Sequence, residues 1–425
     1  MLLKMTEDNK KNKKNNLDNS HHDIVIVGGG AVGMLMALSL AKQDKQITLI
    51  EKLANTELSK SDNRSIALSY SSVCVLNTLG IWQKIKDHVE YIKQVNVSDK
   101  GQYAQTNLYA KDEGLAFLGI VVKMKYLLPA LYQALMNENH IALYQDCQVL
   151  DLLEQDECFS LVIEKDDNAY EITADLIIAA DGAESKLREK AGISAYKHDY
   201  QQSALVFDLD LQRAHNNVAY ERFINNGVLA LLPIDDRQMA CVWSVDHDKV
   251  DYWKAQSKQA VLKEIQRLVG YRLGRFIDVS ELKSFPLSLI RAQTLYRKNV
   301  LLFGNASHFL HPISGQGLNL SIRDIGIVYD LLAGDDTAFT IQNIADMLAQ
   351  YQEIRVFDHK RTALLTHSMI NVFSQDALPI KLARGFALYC LERDQHLKKS
   401  FSKLMMGKYN HGSSLMRSKH GKSIL

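Results

Sequence analysis

The chain has 425 residues, which favours two or three domains at about 150 residues per domain. Hydrophobic residues make up 47% of the sequence, and the net charge of +1 offers no global positive field to attract nucleic acid. The five cysteines lack paired spacing, a pattern that is typical of a reducing cytoplasm and excludes a disulfide scaffold or a cysteine-rich zinc site. We therefore expect a multidomain cytoplasmic protein without a nucleic-acid partner.

The first predicted elements follow a polar N-terminal segment. Residues 1–22 are rich in Asn and Lys and are predicted to form a disordered tail. Residues 24–41 carry no charge, so a signal peptide or a membrane span has to be considered. Three consecutive glycines in the middle of this stretch would break such a helix. We interpret it as the first strand, turn and helix of a nucleotide-binding domain.

A glycine-rich turn joins the predicted strand at residues 24–27 to an apolar helix. The residues of the turn are Gly28, Gly30, Ala31, Val32 and Gly33. In the spacing Gly-x-Gly-x-x-Gly, the first glycine makes the tight turn, the second admits a pyrophosphate, and the third lets helix and strand pack closely. Glu51 follows a second predicted strand at residues 47–50, where a carboxylate can accept hydrogen bonds from ribose hydroxyls. This context predicts a dinucleotide site.

Two further segments add polar groups to this domain. Residues 62–82 are predicted to form a strand-like turn followed by a helix, and they include Arg64. Within residues 174–188 an apolar strand ends at Asp181-Gly182 and is followed by a helix start. A carboxylate at a strand end can accept a hydrogen bond from a ligand hydroxyl. An ordinary loop with an aspartate at the helix start is the alternative interpretation.

From about residue 200 to residue 290 the pattern changes to alternating strands. Asn225-Asn226-Gly227, between two such runs, predicts a hairpin. We expect a separate antiparallel sheet that covers the nucleotide-binding domain and leaves a substrate cavity between the two layers. Arg222, just before the hairpin, is a candidate for the cavity wall, and a solvated or ion-paired arginine is an equally weighted alternative.

The most informative segment is residues 304–324, which follows a hydrophobic strand at residues 299–303 and leads into a helix. Its candidate ligand-contacting residues are Asn305, Pro312, Gly315, Gln316, Gly317, Leu318 and Asn319. The turn exposes backbone N–H groups at a helix N-terminus, which favours an anionic or electron-rich ligand, and its glycines admit a flat one. His311 is a weak candidate base. His308 lies three positions away without a third ligand nearby in sequence, so we predict no metal site.

The C-terminal part has the periodicity of a basic amphipathic helix over residues 382–408. Leu397, Phe401, Leu404 and Met405 share one face, and lysines lie toward the other. Such a helix can lie on an anionic membrane surface. A helix packed on the protein body, with a solvated lysine face, is an equally weighted alternative.

The motifs at residues 28, 181 and 304, in this order, resemble those of the class A flavoprotein monooxygenases, the aromatic-ring hydroxylases. The segments at residues 221–233 and 286–292 are similar to the ubiquinone-biosynthesis hydroxylases in particular. The resemblance implies an α/β fold of the p-hydroxybenzoate hydroxylase type: a doubly wound, Rossmann-like FAD-binding domain with an inserted antiparallel β-sheet substrate domain and C-terminal helices. The expected divisions are a tail at 1–22, FAD-binding parts at 23–200 and 294–380, a substrate sheet at 201–293, and an amphipathic helix with a basic tail at 381–425.

The resemblance also implies the chemistry and the roles of the motif residues. FAD is the expected cofactor, held by the motif residues named above, and Arg64 is similar to the family arginine near the flavin pyrophosphate. NAD(P)H is the expected transient reductant; O₂ then adds at flavin C4a, and the hydroperoxide transfers one oxygen atom to an electron-rich phenol. With asparagine at position 305, the sequence resembles the branch of the family that acts on 2-polyprenyl-6-methoxyphenols. His311, Pro312 and Arg222 are the candidate catalytic residues.

Three alternatives stay open. One is a sister hydroxylase acting at another ring carbon, and a second is a flavin-binding assembly subunit of the ubiquinone-synthesis complex. Lys123-Met124, where the family commonly has an acid–amide pair, and Asn305 motivate the second. The third is a flavin reductase or halogenase, although the three tryptophans do not form the WxWxIP segment of halogenases. The expected partners are a prenylated phenol, O₂, other ubiquinone-biosynthesis proteins and, peripherally, the inner face of the cytoplasmic membrane.

Overall fold

The computed structural model describes residues 20–53, 62–102, 104–225, 227–333, 340–375, 377–407 and 413–416. The α-helices among them are α1 (Ala31–Ala41), α2 (Tyr70–Thr78), α3 (Trp82–Ile85), α4 (Met124–Met136), α5 (Lys186–Lys190), α6 (Val250–Lys254), α7 (Lys258–Val269), α8 (Gln316–Ala333), α9 (Ile341–Ser374), α10 (Leu378–Arg393) and α11 (Gln395–Met405). The strands are β1 (Ser20–Val27), β2 (Ile47–Ile50), β3 (Ser65–Ser69), β4 (Val89–Ile92), β5 (Gln94–Asp99), β6 (Gln105–Tyr109), β7 (Gly119–Lys123), β8 (Ile141–Tyr144), β9 (Cys147–Glu154), β10 (Phe159–Lys165), β11 (Asn168–Ala179), β12 (Ala195–Leu211), β13 (Val218–Ile224), β14 (Gly227–Asp235), β15 (Gln238–Asp246), β16 (Phe276–Val279), β17 (Lys283–Ala292), β18 (Tyr296–Arg297), β19 (Val300–Leu302) and β20 (His308–Phe309). The predicted α/β class is confirmed.

The first sheet positions the glycine-rich turn. Its strand order is β18-β19-β11-β1-β2-β8, and β10 and β9 extend it from β11. β19, β11, β1, β2 and β8 run parallel, so their carboxyl ends lie at one edge. Alternate residues of β1 enter two cores, Ile24 and Ile26 on one face and Val25 and Val27 on the other, which explains the continuous apolar run. The turns after β1, β2, β11 and β19 therefore meet at that edge.

The second sheet is mostly antiparallel, with the order β20-β17-β12-β15-β14-β13-β5-β6 and β16 paired to β12. The predicted hairpin is present, since β13 and β14 pair antiparallel with Ile224 opposite Gly227. The sheet is larger than the sequence pattern indicated, because β12 begins at Ala195 and β5 and β6 come from residues 94–109. β5 joins through a parallel pairing with β13. The chain divisions at residues 200, 293 and 380 remain predictions.

A third sheet fills the space between these two layers. It has the order β3-β7-β4 and is antiparallel throughout. Ile92 and Val121 of this sheet pack with Ala219 of the second sheet. The largest core lies on one face of the first sheet and includes apolar residues of α1, α2, α4 and α8.

Both ends of the described chain differ from expectation. β1 begins at Ser20, so the last three residues of the predicted tail belong to a strand, whereas residues 1–19 lie outside the described residues. The predicted C-terminal helix is broken at Asp394, whose carboxylate accepts hydrogen bonds from the N–H groups of His396 and Leu397 and so caps a new helix, α11. Among the described helices, none combines the length and the hydropathy needed to cross a bilayer.

Candidate active site

The first glycine-rich turn is shaped by close packing at two positions and by open space at a third. Gly28 has φ +110°, and a Cβ there would lie 2.4 Å from the Ala180 carbonyl oxygen. A Cβ on Gly33 would lie 1.9 Å from the Gly28 carbonyl oxygen. At Gly30 a Cβ would meet no atom within 4 Å, and α1 starts at the next residue, the buried Ala31. The N-terminus of α1 therefore adjoins open space that suits a pyrophosphate.

Glu51 lies beside this turn at the end of β2. The carboxylate is buried; its Oε2 accepts a hydrogen bond from the Gly29 N–H at 2.5 Å, and its Oε1 accepts one from the Leu53 N–H at 2.8 Å. A carboxylate oxygen can accept two hydrogen bonds, so each oxygen retains capacity for a ribose hydroxyl. The backbone thus fixes the orientation of Glu51 before any ligand arrives.

Asp181 places a buried, unpartnered oxygen in the same region. Its Oδ2 accepts a hydrogen bond from the Leu187 N–H at 3.2 Å, whereas Oδ1 has no hydrogen-bond partner among the described residues. Leaving such an oxygen unpaired costs about 1–3 kcal/mol. Gly182, with φ +98°, leaves open space beside it. Asp181, Gly182, Glu51, Gly28 and Gly30 line one cleft of about 470 Å³, so the residues present fit the hydroxyl-rich half of FAD.

The second motif turn follows β19 and touches the first. Gly304 has φ +56°, and a Cβ there would lie 3.0 Å from the Val32 Cγ1. Gly315 has φ +57° and would place a Cβ 3.3 Å from the Ala67 Cβ, whereas a Cβ on Gly317 would meet no atom within 4 Å. Because α8 begins at this turn, the positive end of its helix dipole lies next to that open surface. A flat, electron-rich group fits there.

The Asn319 amide is engaged entirely within the protein. Its Oδ1 accepts hydrogen bonds from the Ser69 N–H at 2.8 Å and from the Ser72 hydroxyl at 2.7 Å. Its Nδ2 donates to the carbonyl oxygens of Ala67 and Gly315, at 2.9 and 2.7 Å. Asn319 therefore fixes the second turn against β3 and α2, and its predicted contact with FAD stays a prediction.

The C-terminal helix α11 closes over the same turn. Gln316 Nε2 donates to the Met405 carbonyl oxygen at 3.3 Å, and the Ser71 hydroxyl donates to the Met406 carbonyl oxygen at 2.8 Å. Phe401, Met405 and Met406 line a cavity beside the turn. The apolar face of α11 that the sequence offered to a membrane is thus divided: Phe401, Leu404 and Met405 are half-buried against the protein, whereas Leu397 is 52% exposed.

This cavity has a volume of about 320 Å³ and lies where the second sheet, the third sheet, α8 and α11 meet. The motif residues in its wall are Asn305, Pro312, Gly315, Gly317, Leu318 and Asn319. Apolar residues form most of the remaining wall, including Val95, Leu108, Leu232 and Val242. Glu221 adds one buried carboxylate, and the buried Ser65 hydroxyl has no hydrogen-bond partner among the described residues. The cavity suits an aromatic ring with few polar substituents.

Of the three candidate catalytic residues, only Pro312 lines this cavity. Arg222 lies elsewhere: its Nη1 donates to the Ser98 hydroxyl at 3.2 Å, and burial lowers the pKa of its guanidinium. His311 is only 2% exposed, packs edge-on against Tyr200, and has no hydrogen bond to either ring nitrogen in the described chain. Burial lowers the pKa of His311 to about 3, so it is a poor base at neutral pH. The structure does not bring Arg222 or His311 into the cavity wall.

Glu221 is the functional candidate that sequence reasoning missed. It precedes Arg222 in β13 and lies in the cavity wall, whereas the sequence pattern drew attention to the arginine. The sequence contained one signal for Glu221: it is a carboxylate in a strand, and the residues two positions before and after it, Ala219 and Phe223, are apolar. Which of two adjacent charged residues faces a cavity depends on the register of the strand, and one residue of slip exchanges them.

Arg64 and Lys123, two residues noted in the sequence, each form an ion pair with an aspartate. Arg64 pairs with Asp62, with Nε at 2.8 Å from Oδ1 and Nη2 at 2.6 Å from Oδ2, and its guanidinium lies over the Phe285 ring. It lines neither cavity described above, so its contact with a pyrophosphate stays a prediction. Lys123, at the position of the family's acid–amide pair, donates to Asp208 at 2.8 Å and so links the third sheet to the second.

A buried ion cluster joins α8 to α9 behind the second turn. Arg355 Nε donates to Asp324 Oδ1 at 2.5 Å, and His359 Nε2 lies 2.9 Å from Asp324 Oδ2. Burial acts to raise the pKa of Asp324, but His359 and Arg355 together hold it well below its usual range. Burial and the neighbouring His359 lower the pKa of His308 to about 3. His308, Asp324 and His359 have the spacing of metal ligands, but the Arg355 guanidinium already neutralises the carboxylate, so we assign the cluster a structural role.

Comparison with known proteins identifies the family. The family model described as FAD binding domain matches residues 21–355. The chain belongs to the FAD binding domain family. Both glycine-rich turns, Glu51 and Asp181 fall inside the match. The prediction of an FAD-dependent flavoprotein of the aromatic-ring monooxygenase class is confirmed, and FAD with NAD(P)H as reductant is the cofactor set of this class.

Curated relatives cover nearly the whole flavoprotein. The ubiquinone hydroxylase UbiL of Rhodospirillum rubrum is 28% identical over 387 residues, which cover 91% of this chain and 89% of that protein. The 3-demethoxyubiquinol 3-hydroxylase of Escherichia coli is 27% identical over 388 residues, covering 91% of this chain and 98% of that protein. The match includes residues in all three sheets.

Solved structures agree on the fold. The Pseudomonas aeruginosa protein PqsL, in complex with 2-aminobenzoylacetate, superposes with a TM-score of 0.71 at 19% identity, over 84% of this chain and 97% of PqsL. The p-nitrophenol 4-monooxygenase PnpA of Pseudomonas putida has a TM-score of 0.71 at 14% identity, over 90% of this chain and 97% of PnpA. The predicted architecture of a flavin-binding domain with a second, antiparallel sheet is confirmed.

Proposed function

We propose that this flavoprotein hydroxylates the ring of a polyprenylated methoxyphenol, with O₂ and NAD(P)H, in ubiquinone biosynthesis. The observation that carries the proposal is the position of the apolar cavity, which opens directly beside the N-terminus of α8 at the second motif turn. The names of the relatives support the choice of pathway, since several are ubiquinone hydroxylases. Asn305 motivates the choice of a methoxyphenol within that pathway.

The residues that would hold FAD form two groups. The turn at Gly28–x–Gly30–x–x–Gly33, with Glu51 and Asp181, would hold the adenosine, pyrophosphate and ribityl portions through N–H groups and carboxylates. Asn305, Pro312 and the open backbone at Gly317 would hold the isoalloxazine ring. When bound, FAD supplies the redox chemistry: it accepts a hydride from NAD(P)H and activates O₂ so that one oxygen atom reaches the ring and the other leaves as water.

The protein itself orients the substrate and excludes water. The N–H groups at the start of α8 favour negative charge on the ring system next to them. The apolar walls at Val95, Leu232 and Val242 exclude bulk water from the reacting atoms. We assign to Glu221 the role of hydrogen-bond acceptor for the phenol O–H, which would orient the ring and increase electron density at its carbons ortho and para to oxygen.

The cavity volume suits the ring better than the whole substrate. The cavity of about 320 Å³ is near the lower end of the range of about 300–1,000 Å³ for small-molecule sites, and its wall also includes the residues proposed to hold the isoalloxazine ring, so the two rings would share it. We therefore propose that the ring enters and that the prenyl chain extends outward toward a membrane. We further propose that the protein lies in the cytoplasm, peripherally at the inner face of the cytoplasmic membrane. A sister hydroxylase acting at another ring carbon has the same requirements and is the second candidate.

Metabolite profiling of a deletion strain tests the function. The strain is complemented with the wild-type gene, with Glu221→Gln, and with an empty vector, and quinone precursors are identified by mass spectrometry. We expect 2-polyprenyl-6-methoxyphenol to accumulate with the empty vector and to disappear with the wild-type gene. Accumulation of a precursor that lacks oxygen at another carbon would select the sister hydroxylase, and unchanged ubiquinone with no precursor would reject the pathway.

A further inference from the structure

Helix α10 presents a row of large apolar side chains to solvent. They are Leu378, Leu382, Phe386 and Tyr389, which are 68%, 60%, 69% and 51% exposed. Their spacing of four, four and three residues places them on one face of the helix. Single exposed apolar residues are ordinary, but an aligned row of four marks an interaction surface. We call these four residues the α10 face.

The opposite side of α10 is fixed firmly to the protein. Arg384 Nη1 donates to the carbonyl oxygens of Val372, Phe373 and Gln375 at the end of α9, at 2.7–3.0 Å. Arg384 Nε also lies 3.0 Å from Asp99 Oδ2, in an ion pair that is almost completely buried. These contacts set the direction of α10, so the α10 face is held in a constant orientation.

Only one helix separates the α10 face from the active-site cavity. Leu388, on the inner side of α10, packs in a buried cluster with Val97 and Ile370. Val97 is also part of the cavity wall, as is Met369, which packs against the same cluster. An α-helix with its side chains is about 10–12 Å across, so a surface that touches the α10 face lies within about that distance of the cluster lining the cavity.

An exposed cation borders the α10 face, since the Arg393 guanidinium lies over the Tyr389 ring, and further cations follow along the chain in α11. Residues 377–407 contain six basic and two acidic residues. Both acids are used within the protein, since Glu392 accepts hydrogen bonds from the Asn107 N–H and from Lys398, and Asp394 caps α11. The exposed cations in this segment are Arg393, Lys399 and Lys403. This arrangement complements an anionic surface.

We propose that the α10 face docks on the surface of an anionic lipid bilayer, with its four apolar side chains inserted at the boundary between headgroups and acyl chains. The choice of a bilayer rests on the proposed function, because a prenylated phenol is dissolved in lipid. Docking through α10 brings the cavity next to the phase that holds the substrate, while Phe401 and Met405 of α11 keep their places in the cavity wall. The cations then contact lipid phosphates.

Vesicle binding by the full-length holoprotein tests the docking surface without any substrate. Vesicles of phosphatidylethanolamine with phosphatidylglycerol are compared with vesicles of phosphatidylcholine alone, and bound protein is measured by co-sedimentation. The test variant is Leu382→Ser with Phe386→Ser. The matched control is Tyr271→Ser with Ile277→Ser, which removes side chains of similar exposure, 69% and 58%, near the second sheet. Bound-flavin absorbance establishes that each variant is folded.

We expect the wild type and the control to bind anionic vesicles, and the partition coefficient of the α10 variant to fall by about tenfold or more. Lys399→Gln with Lys403→Gln should reduce the preference for anionic over neutral vesicles by about threefold or more. Equal binding by the α10 variant and the wild type, or no vesicle binding by the wild type, would overturn the proposal. The α10 face would be assigned to self-association instead if the wild type does not bind vesicles and is a dimer, and if the α10 variant is a monomer. The vesicle assay measures binding and no turnover, so its result stands whether or not the protein hydroxylates the proposed substrate.

Discussion

The two motif turns pack closely, since a Cβ on Gly304 would lie 3.0 Å from Val32, yet the cleft beside Gly28 and the cavity beside Gly315 recognise ligands by different means. The cleft has backbone N–H groups at a helix start and two carboxylates whose positions are fixed by close packing. The cavity is mainly apolar, with one carboxylate and one unpaired hydroxyl among its described wall residues. Changes in the cleft should therefore act on cofactor binding and folding, and changes in the cavity on turnover.

The largest effect is expected at Gly33. A Cβ there would lie 1.9 Å from the Gly28 carbonyl oxygen, so Gly33→Ala should lower the free energy of unfolding by about 1–3 kcal/mol and abolish FAD retention. Chemical denaturation and bound-flavin absorbance measure the two quantities. Gly30→Ala is the matched control, because its Cβ would meet no protein atom; it should weaken FAD binding while leaving the stability of the apoprotein unchanged. Equal destabilisation by both substitutions would contradict this account of the turn.

Asp181 should affect FAD affinity without a loss of folding stability. Asp181→Ala removes the carboxylate with the buried unpartnered oxygen, and we expect FAD to dissociate with a Kd raised by about ten- to a hundredfold. Fluorescence titration of apoprotein with FAD gives the Kd. Glu184→Gln is the control, since Glu184 lines the same cleft with a mostly exposed side chain. Unchanged FAD affinity in Asp181→Ala would remove Asp181 from the cofactor site.

In the cavity, Glu221→Gln should lower kcat by about tenfold, because an amide accepts a weaker hydrogen bond from the phenol than a carboxylate does. FAD content should remain that of the wild type. His311→Phe, which keeps a ring against Tyr200, should leave kcat nearly unchanged. Steady-state oxidation of NAD(P)H with a soluble methoxyphenol measures both variants. A large kcat effect in His311→Phe with none in Glu221→Gln would reverse the assignment.

The buried histidines predict a pH dependence of stability. The folded pKa of His311 is about 3, below the ordinary value of about 6.5, so the unfolded chain binds the proton more readily. The contribution of His311 to stability is therefore full above about pH 6.5 and is lost as the pH falls toward 3, by about 1.4 kcal/mol per pH unit. Denaturation across about pH 7.5 to 5 should show a shallower pH slope for His311→Phe than for wild type. Equal pH slopes for His311→Phe and the wild type would contradict this assignment.

The smallest effect is expected from Asn305→Asp. Asn305 is exposed in the cavity wall, so an added carboxylate would put a partly screened negative charge next to the flavin ring. The reduction potential of the bound flavin should fall slightly, with FAD affinity preserved. Potentiometric titration of both proteins measures the shift. An unchanged potential in Asn305→Asp would place residue 305 away from the flavin ring.

The sequence predicts the cleft better than the cavity, for a physical reason. The turn at Gly28 depends on local steric requirements. Few local structures require glycines at this spacing, so the spacing predicts the turn directly. The hairpin before Gly227 and the helix start at Gly315 are similarly local. The motifs at residues 28, 181 and 304 each follow a strand of the first sheet, and because these strands are parallel all three motifs lie at one edge of it.

The cavity depends instead on long-range packing. β5 and β6 join the second sheet from a distant part of the sequence, and a strand pattern alone does not reveal that pairing. The register of β13 decides that Glu221, and not Arg222, is in the cavity wall. The break at Asp394 leaves most of the apolar face of α11 half-buried beside the cavity and that of α10 exposed. Each of these outcomes is set by tertiary contacts that local patterns do not contain.

Oxygen-isotope incorporation tests the central claim most directly. Purified holoprotein is supplied with NAD(P)H, isotopically labelled ¹⁸O₂ and a short-chain prenylated methoxyphenol, and the product is examined by mass spectrometry. The account predicts one labelled oxygen atom on the ring of the product, at a yield that matches NAD(P)H consumption and falls in Glu221→Gln. Substrate-independent NAD(P)H oxidation that yields only hydrogen peroxide, with no label on the ring, would contradict it.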